Sequence, residues 1–174
     1  MESYATVIVR RARDADVREA ALVTASVAPE GFLGAQPPVD LEARADRYRE
    51  LIEQEALWVL EHQGQVVGYA AAPESVPGVL GIGMAILAEA RGKGGGRSLL
   101  AAIQEHARAT GAHKISLEVW TDNARAIALY TAAGFEVEGL RRDHYRRRDG
   151  SLRSTLIMAW RVHPPREDPA TSGN

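Results

Sequence analysis

The chain has 174 residues, 45% of them hydrophobic and 25% charged, which suits one sizeable core. A net charge of −2 argues against a nucleic-acid binder, and the absence of cysteine excludes disulfides, thiolate metal sites and a cysteine nucleophile. No apolar run is long enough to span a membrane, and Met1-Glu2-Ser3-Tyr4 lacks the basic and apolar regions of a secretion signal, so a cytoplasmic protein without membrane or nucleic-acid partners is expected.

Ala5 to Val9 reads as a short β-branched strand. Asp16 and Glu19 have the spacing of a capping box, opening a helix that runs to about Ala25. Val27 to Val39 holds three prolines and two glycines and reads as a loop. Asp40 can cap a second helix with Leu41, Ala45, Tyr48 and Ile52 on its apolar face. Ala56–Glu61 and Gln65–Ala72 form a predicted hairpin around His62-Gln63-Gly64. Pro73 to Gly78 reads as a loop, and Val79 to Leu87 as one strand with Gly81 and Gly83 inside it, the mark of a bulge or a close backbone approach.

Arg91-Gly92-Lys93-Gly94-Gly95-Gly96 follows, and then a helix with Leu99, Leu100, Ile103 and Ala107 on one face, ending near Gly111. Strand, glycine loop and helix make an anion site. The first helix amides lack intrahelical partners, the dipole adds positive charge, and Arg91, Lys93 and Arg97 add full charges. The loop is not a Walker loop, since no Gly-Lys-Ser/Thr closes it, and Ala88-Glu89-Ala90-Arg91 separates it from the strand, unlike a Rossmann fingerprint. His113 to Trp120 is the next strand, with Ile115, Leu117 and Val119 on one face. Asn123 can cap a last helix ending at Gly134, and Phe135–Leu140 and Leu152–Trp160 read as the final strands, with Asp149-Gly150 as a turn signal between them. One domain over residues 1–162 and a disordered tail over His163 to Asn174 are expected. The order implies an α/β sandwich with a mixed sheet.

Arg91-x-x-Gly94-x-Gly96, preceded by Met84-Ala85-Ile86 and followed by Leu99-Leu100, resembles motif A of the GCN5-related N-acetyltransferases (GNAT). Leu117-Glu118-Val119-Trp120, Asn123, Ala126 and Leu129-Tyr130 before Gly134-Phe135 resemble that family's motif B, most closely in the ribosomal-protein alanine and amino-acid N-acetyltransferase branch. The resemblance covers Val7 to about Trp160. It implies the GNAT fold, a mixed and mostly antiparallel central sheet with a splayed strand pair and helices on both faces. It also implies acetyl-CoA as co-substrate. Its pyrophosphate would lie on Gly92, Lys93, Gly94, Gly95, Gly96 and Arg97 with Arg91, and its pantetheine arm along Met84, Ala85 and Ile86, with Asn123 in contact. The amine would attack the thioester directly, with Glu118 as base and Tyr130 as acid.

Physical chemistry is compatible with those roles. The attacking amine must be neutral, a carboxylate can take its proton, and a phenol can donate to the leaving thiolate. On their own, Glu118 could equally face water or an arginine, Tyr130 could be a core aromatic beside Ile127, and Trp120 reads as packing. Glu74 is the reserve base, because Leu80-Gly81-Ile82-Gly83-Met84 carries no carboxylate. The five histidines are scattered without the spacing of a helical metal site, so no metal is assigned. The cluster Arg141 to Arg148 guards a strand edge or recognises an anionic group on the substrate. The acceptor is expected to be a small-molecule amine (amino acid, polyamine or antibiotic-like) or a peptide N-terminus. Two alternatives stay open, a protein N-terminal acetyltransferase and a non-catalytic acyl-CoA-binding regulatory module. A homodimer is what the family often forms.

Overall fold

A computed structural model describes residues 7–162. The tail expected over His163 to Asn174, and the first two residues of the strand expected at Ala5, lie outside the described residues. The elements run β1 (Val7–Arg11), α1 (Val17–Val27), α2 (Leu41–Glu53), β2 (Leu57–His62), β3 (Gln65–Ala71), β4 (Glu74–Val76), β5 (Val79–Gly81), β6 (Gly83–Ile86), α3 (Gly95–Thr110), β7 (Lys114–Trp120), α4 (Ala124–Ala132), β8 (Glu136–Arg146) and β9 (Leu152–Arg161). The strands divide into two sheets, ordered β1-β2-β3-β6 and β4-β5-β7-β9-β8. All pairings are antiparallel except β5 with β7.

The run expected as one strand from Val79 to Leu87 is two elements in two sheets. β5 pairs in parallel with β7, Leu80 opposite Ile115, whereas β6 pairs with β3, Ala85 opposite Tyr69. The chain changes sheet at Ile82, whose N–H donates to Ser116 O at 2.9 Å. The sheet around β2 is covered on both faces. Trp58 and Leu60 face the core built on Leu99, Leu100 and Ile103 of α3, and Leu57 and Val59 face the core built on α1 and α2. This is why β2 reads as an unbroken apolar run rather than an alternating one. The β2–β3 hairpin closes through Gln63 at φ 51° and Gly64 at φ 78°, the paired positive φ of a type I′ turn.

Several local expectations are corrected. On α2, Ala45, Tyr48 and Ile52 pack inward as expected, but Leu41 is exposed and Leu51, outside the expected face, is buried beside Tyr48. β4 lies within the stretch expected as a loop. β8 extends six residues past Leu140, through the arginine cluster, because Tyr145 and Arg146 pair again with Arg153 and Leu152 of β9 after a register shift that follows the Arg141–Thr155 pair. Asp16 forms no capping box with Glu19. Its carboxylate accepts the Arg13 N–H at 2.7 Å and grips the Arg10 guanidinium at 2.7 and 2.9 Å, and Arg10 Nε also reaches Glu61 at 2.9 Å.

Arg10, as the leading cause, holds the buried Asp16 carboxyl below its ordinary range. Such a group adds stability above its unfolded value of about 3.9, and that stability is lost as pH falls through the lower folded value. Asp16→Asn is therefore expected to cost about 1–3 kcal/mol at neutral pH. Urea unfolding midpoints should show the gap from the wild type narrowing once pH falls below about 4.

Candidate active site

The glycine loop opens α3 as the sequence implies, with a division of labour among its glycines. Gly94 takes φ 84° as the residue before the helix, a conformation that costs an L side chain about 1–2 kcal/mol. Gly95 is buried for a different reason. A Cβ there would stand 2.4 Å from Leu60 Cδ2, so only glycine lets α3 sit this close to β2. Together they leave the first amides of α3 facing the cleft with the positive end of the helix dipole behind them. Arg97 lines the cleft, exposed, and Lys93 is not among the lining residues. Arg91 is already engaged. Nε donates to Ile86 O at 2.8 Å and Nη2 pairs with Glu30 at 2.8 Å.

The cleft, ≈ 1080 Å³, runs from this loop into the space between β6 and β7. Leu87 N–H donates to Val67 O, while Ile86 O turns away to Arg91 and Ile82 N–H turns to β7. Backbone groups alternate sides along a strand, so Met84, between Ile82 and Ile86 in that alternation, presents its N–H and C=O to the open edge. β6 is an edge strand with nothing paired to that side among the described residues. Met84, Ala85, Ile86 and Asn123 all line the cleft. Asn123 caps α4 by accepting Ala126 N–H at 3.2 Å on Oδ1, which leaves its amide NH₂ uncommitted.

Glu118 and Tyr130, expected as base and acid, line the same cleft. Glu118 projects from the exposed side of β7, and Oε2 accepts from Tyr145 OH at 2.8 Å and Thr155 Oγ1 at 2.8 Å. Arg141 Nη1 meets Oε1 at 2.9 Å. Tyr130 is buried on α4 with its ring 5.7 Å from Phe135, so it is both a core aromatic and a cleft residue. Burial pushes its phenol up to about 12, which keeps it protonated at neutral pH. Glu74, the reserve base, is outside the cleft lining and accepts Gly78 N–H at 2.6 Å. Tyr145 and Thr155 were missed by sequence reasoning. They reach Glu118 only through the β7–β9–β8 register, in which Glu118 lies opposite Ile157 and Tyr145 opposite Arg153.

Beyond Glu118 the cleft is walled by Phe32, Leu33, Trp120 and Tyr145. Three arginines of this region brace the loop after α1. Arg147 Nη1 donates to Leu33 O at 3.2 Å, Arg148 N to Gln36 Oε1 at 3.0 Å, and Arg153 to Gly31 O and, at 2.5 Å, Asp122. Among the described residues no group of three or more His, Asp or Glu gathers as a metal site, and no helix is long and apolar enough to cross a membrane.

A strand pair splayed beside a helix N-terminus defines a cleft for an extended ligand ending in a polyanion. Residues 22–135 match the Acetyltransferase (GNAT) family, and the chain belongs to it. It is 32% identical over 111 residues to an L-methionine sulfoximine/L-methionine sulfone acetyltransferase of Pseudomonas aeruginosa, 60% of this chain and 64% of that protein's length. Its fold superposes at TM-score 0.81 and 24% identity on a phosphinothricin acetyltransferase from Sinorhizobium meliloti solved with acetyl-CoA, covering 95% of this chain and 97% of that one. It superposes at 0.76 and 28% identity on a ribosomal-protein-alanine N-acetyltransferase from Brucella melitensis, covering 89% and 99%.

The close approach of Gly95 to Leu60 is testable by a double-mutant cycle. Gly95→Ala should cost about 1–3 kcal/mol through overpacking. In a Leu60→Ala background, chemical denaturation should give a markedly smaller cost, because the colliding methyl groups are gone.

Proposed function

We propose that this chain is an acetyl-CoA-dependent N-acetyltransferase that moves an acetyl group to a primary amine of a small molecule. The observation that carries this reading is the unpaired edge of β6, which faces β7 across a cleft beginning at the N-terminus of α3. In this scheme the amides from Gly92 to Arg97 bind the pyrophosphate, Lys93 contributing through its backbone and Arg97 through its charge. The pantetheine amides pair with the Met84–Ile86 edge as an added strand would, and Asn123 donates its free amide to the same substrate. The cleft draws on residues from Val27 to Thr155, which supports one functional unit over the domain.

The acceptor enters from the Glu118 side. Its nitrogen attacks the thioester carbonyl carbon, and the Met84 N–H stabilises the charge that develops on oxygen. The C–S bond breaks with its electron pair on sulfur. Glu118 takes the proton released by nitrogen, directly or through a water. Tyr130 donates to the thiolate. A phenol at about 12 against a thiol near 8.5 makes it a hydrogen-bond donor first, with full proton transfer uphill by about 5 kcal/mol unless the buried thiolate is itself destabilised. The products are the amide and the free thiol.

A protein N-terminus as acceptor is the second reading, favoured by the likeness to the Brucella enzyme. The loop after α1, pinned over the acceptor end by Arg147, Arg148 and Arg153, supports a smaller guest.

Isothermal titration of acetyl-CoA, followed by a thiol-release screen over amino acids, polyamines, aminoglycosides and short peptides, tests the reading. Binding with turnover on one class is the expected result. Acetyl-CoA binding without turnover on any amine favours a non-catalytic acyl-CoA-binding module, and no binding undercuts the whole scheme. Tyr130→Phe and Glu118→Gln should each lower kcat by about 100-fold with acetyl-CoA affinity unchanged. Near-wild-type turnover in both would overturn the acid–base assignment. Because burial holds the Tyr130 phenol near 12, any fall in kcat between about pH 8 and 10 should persist in the residual activity of Tyr130→Phe.

A further inference from the structure

The acceptor end of the cleft carries positive charge that the fold leaves without an ion pair among the described residues. Glu118 is matched by Arg141 at 2.9 Å, Asp122 by Arg153 at 2.5 Å and Glu30 by Arg91 at 2.8 Å. Arg146 and Arg147 line the same cleft with no carboxylate partner among the described residues, and of the two Arg146 is exposed while Arg147 is half-buried. Its protein acceptors are neutral carbonyls, Leu33 O at 3.2 Å and, more weakly, Gly34 O at 3.5 Å. Nearby Asp149 accepts the N–H and hydroxyl of Ser151 on Oδ1 at 2.9 and 2.7 Å, and its charge favours that of Arg147 without forming an ion pair with it.

A second cation makes this arrangement costlier. The Arg153 guanidinium lies 4.4 Å from the Trp120 ring centroid, and that of Arg147 lies 5.3 Å from the same ring. Burial first, then Arg153 and Arg148, bear on Arg147 against its charged form, with Asp149 offsetting part of this. Removing a guanidinium from water beside a like charge, with only carbonyls to replace the solvent, costs free energy that an oxyanion would recover.

Its position relative to Glu118 is also set. Tyr145 stacks edge-on to Trp120 at 5.4 Å and donates to Glu118, so Tyr145 and Arg147 flank one indole. Two residues along an extended chain span about 7 Å.

We infer that Arg147 is the anion-recognition residue of the acceptor site, and that the amine substrate carries a carboxylate or comparable oxyanion several bonds from its nitrogen. This deepens the N-acetyltransferase reading and rests on it for the placement of the amine at Glu118. A polyamine fits poorly, because its second cation would meet Arg147.

The test is isothermal titration of a series of ω-amino acids of increasing length, each beside its neutral carboxamide, into the protein saturated with CoA. At the best-fitting length the acid should bind about tenfold or more tightly than the amide. Arg147→Gln keeps a donor for Leu33 O while removing the charge. It should abolish the preference for acid over amide and leave acetyl-CoA affinity and binding of the amide unchanged. Arg147→Lys should retain part of the preference, which a purely structural brace would not require. Acids that bind no better than amides at any length, or a preference that survives Arg147→Gln, would overturn the inference. Acids that bind through Arg147 but are not acetylated, with thiol release followed in parallel, would keep the anion subsite and count against the transferase reading instead.

Discussion

The architecture depends on one parting of strands. After Gly81 the chain gives up its pairing with β7, makes a last bond from Ile82 N–H to Ser116 O, and crosses to the other sheet as β6. An unpaired strand edge inside a protein leaves N–H and C=O groups that must find partners, and folds normally blunt or cover such an edge. Here Arg91 covers Ile86 O at one end and the rest stays open. β3 holds the other side of β6 in register from Gly83 to Ile86, so the edge is rigid although half its hydrogen bonds are unused. The helix N-terminus of α3 lies at one end of this opening, and Glu118 and Tyr130 lie along it. A ligand that supplies amide groups in the middle and a polyanion at one end completes the backbone pairing the fold leaves undone.

Charge is the second organising constraint. Arginine outnumbers lysine heavily in this chain, and the structure uses the planar fork in ways an ammonium could not. Arg153 reaches Gly31 O and Asp122 at once while lying against Trp120 and Phe32. Arg91 joins the end of β6 to Glu30, on the short 3-10 turn after α1. The segment from Gly31 to Val39 has almost no regular structure of its own, and these arginines supply the partners its carbonyls would otherwise lack. The basic cluster divides its work: Arg141 pairs with Glu118, Arg147 and Arg148 brace the loop after α1, and Arg146 and Arg147 line the cleft without an ion-pair partner among the described residues.

Legibility in the sequence followed the range of the interactions. The glycine loop, α3 with its buried Leu99, Leu100, Ile103 and Ala107, and the Asn123 cap are local patterns, and each lies where the spacing predicts. The change of sheet at Ile82 was not legible, because Val79 to Ile86 is one apolar run and only its neighbours, β7 on one side and β3 on the other, divide it. Gly81 and Gly83 were the visible hint of irregularity. The inward turn of Leu51 on α2 reflects how that helix rolls against α1, which its own sequence does not specify. The partners of Glu118 were beyond reach for the same reason. Thr155 and Tyr145 are 37 and 27 residues away, and only strand register brings them to it.

That network also decides what Glu118 can do. An ionised carboxylate offers about four lone-pair sites. Tyr145 and Thr155 fill two of them on Oε2 and the Arg141 guanidinium sits against Oε1, so little of the carboxylate is left unengaged. The carboxylate is held in a single orientation by donors from β8 and β9, and Thr155 is itself buried, so the free lone pair has little freedom to wander. Holding a reactive group in one pose is worth more to a direct transfer than intrinsic basicity, since much of the barrier lies in bringing amine, thioester and proton acceptor into line. The side chain is nevertheless 31% exposed, so a proton bound there would have a path to solvent. A carboxylate fixed by two hydrogen bonds and an ion pair, and open to water on its remaining side, is compatible with the base role proposed for Glu118.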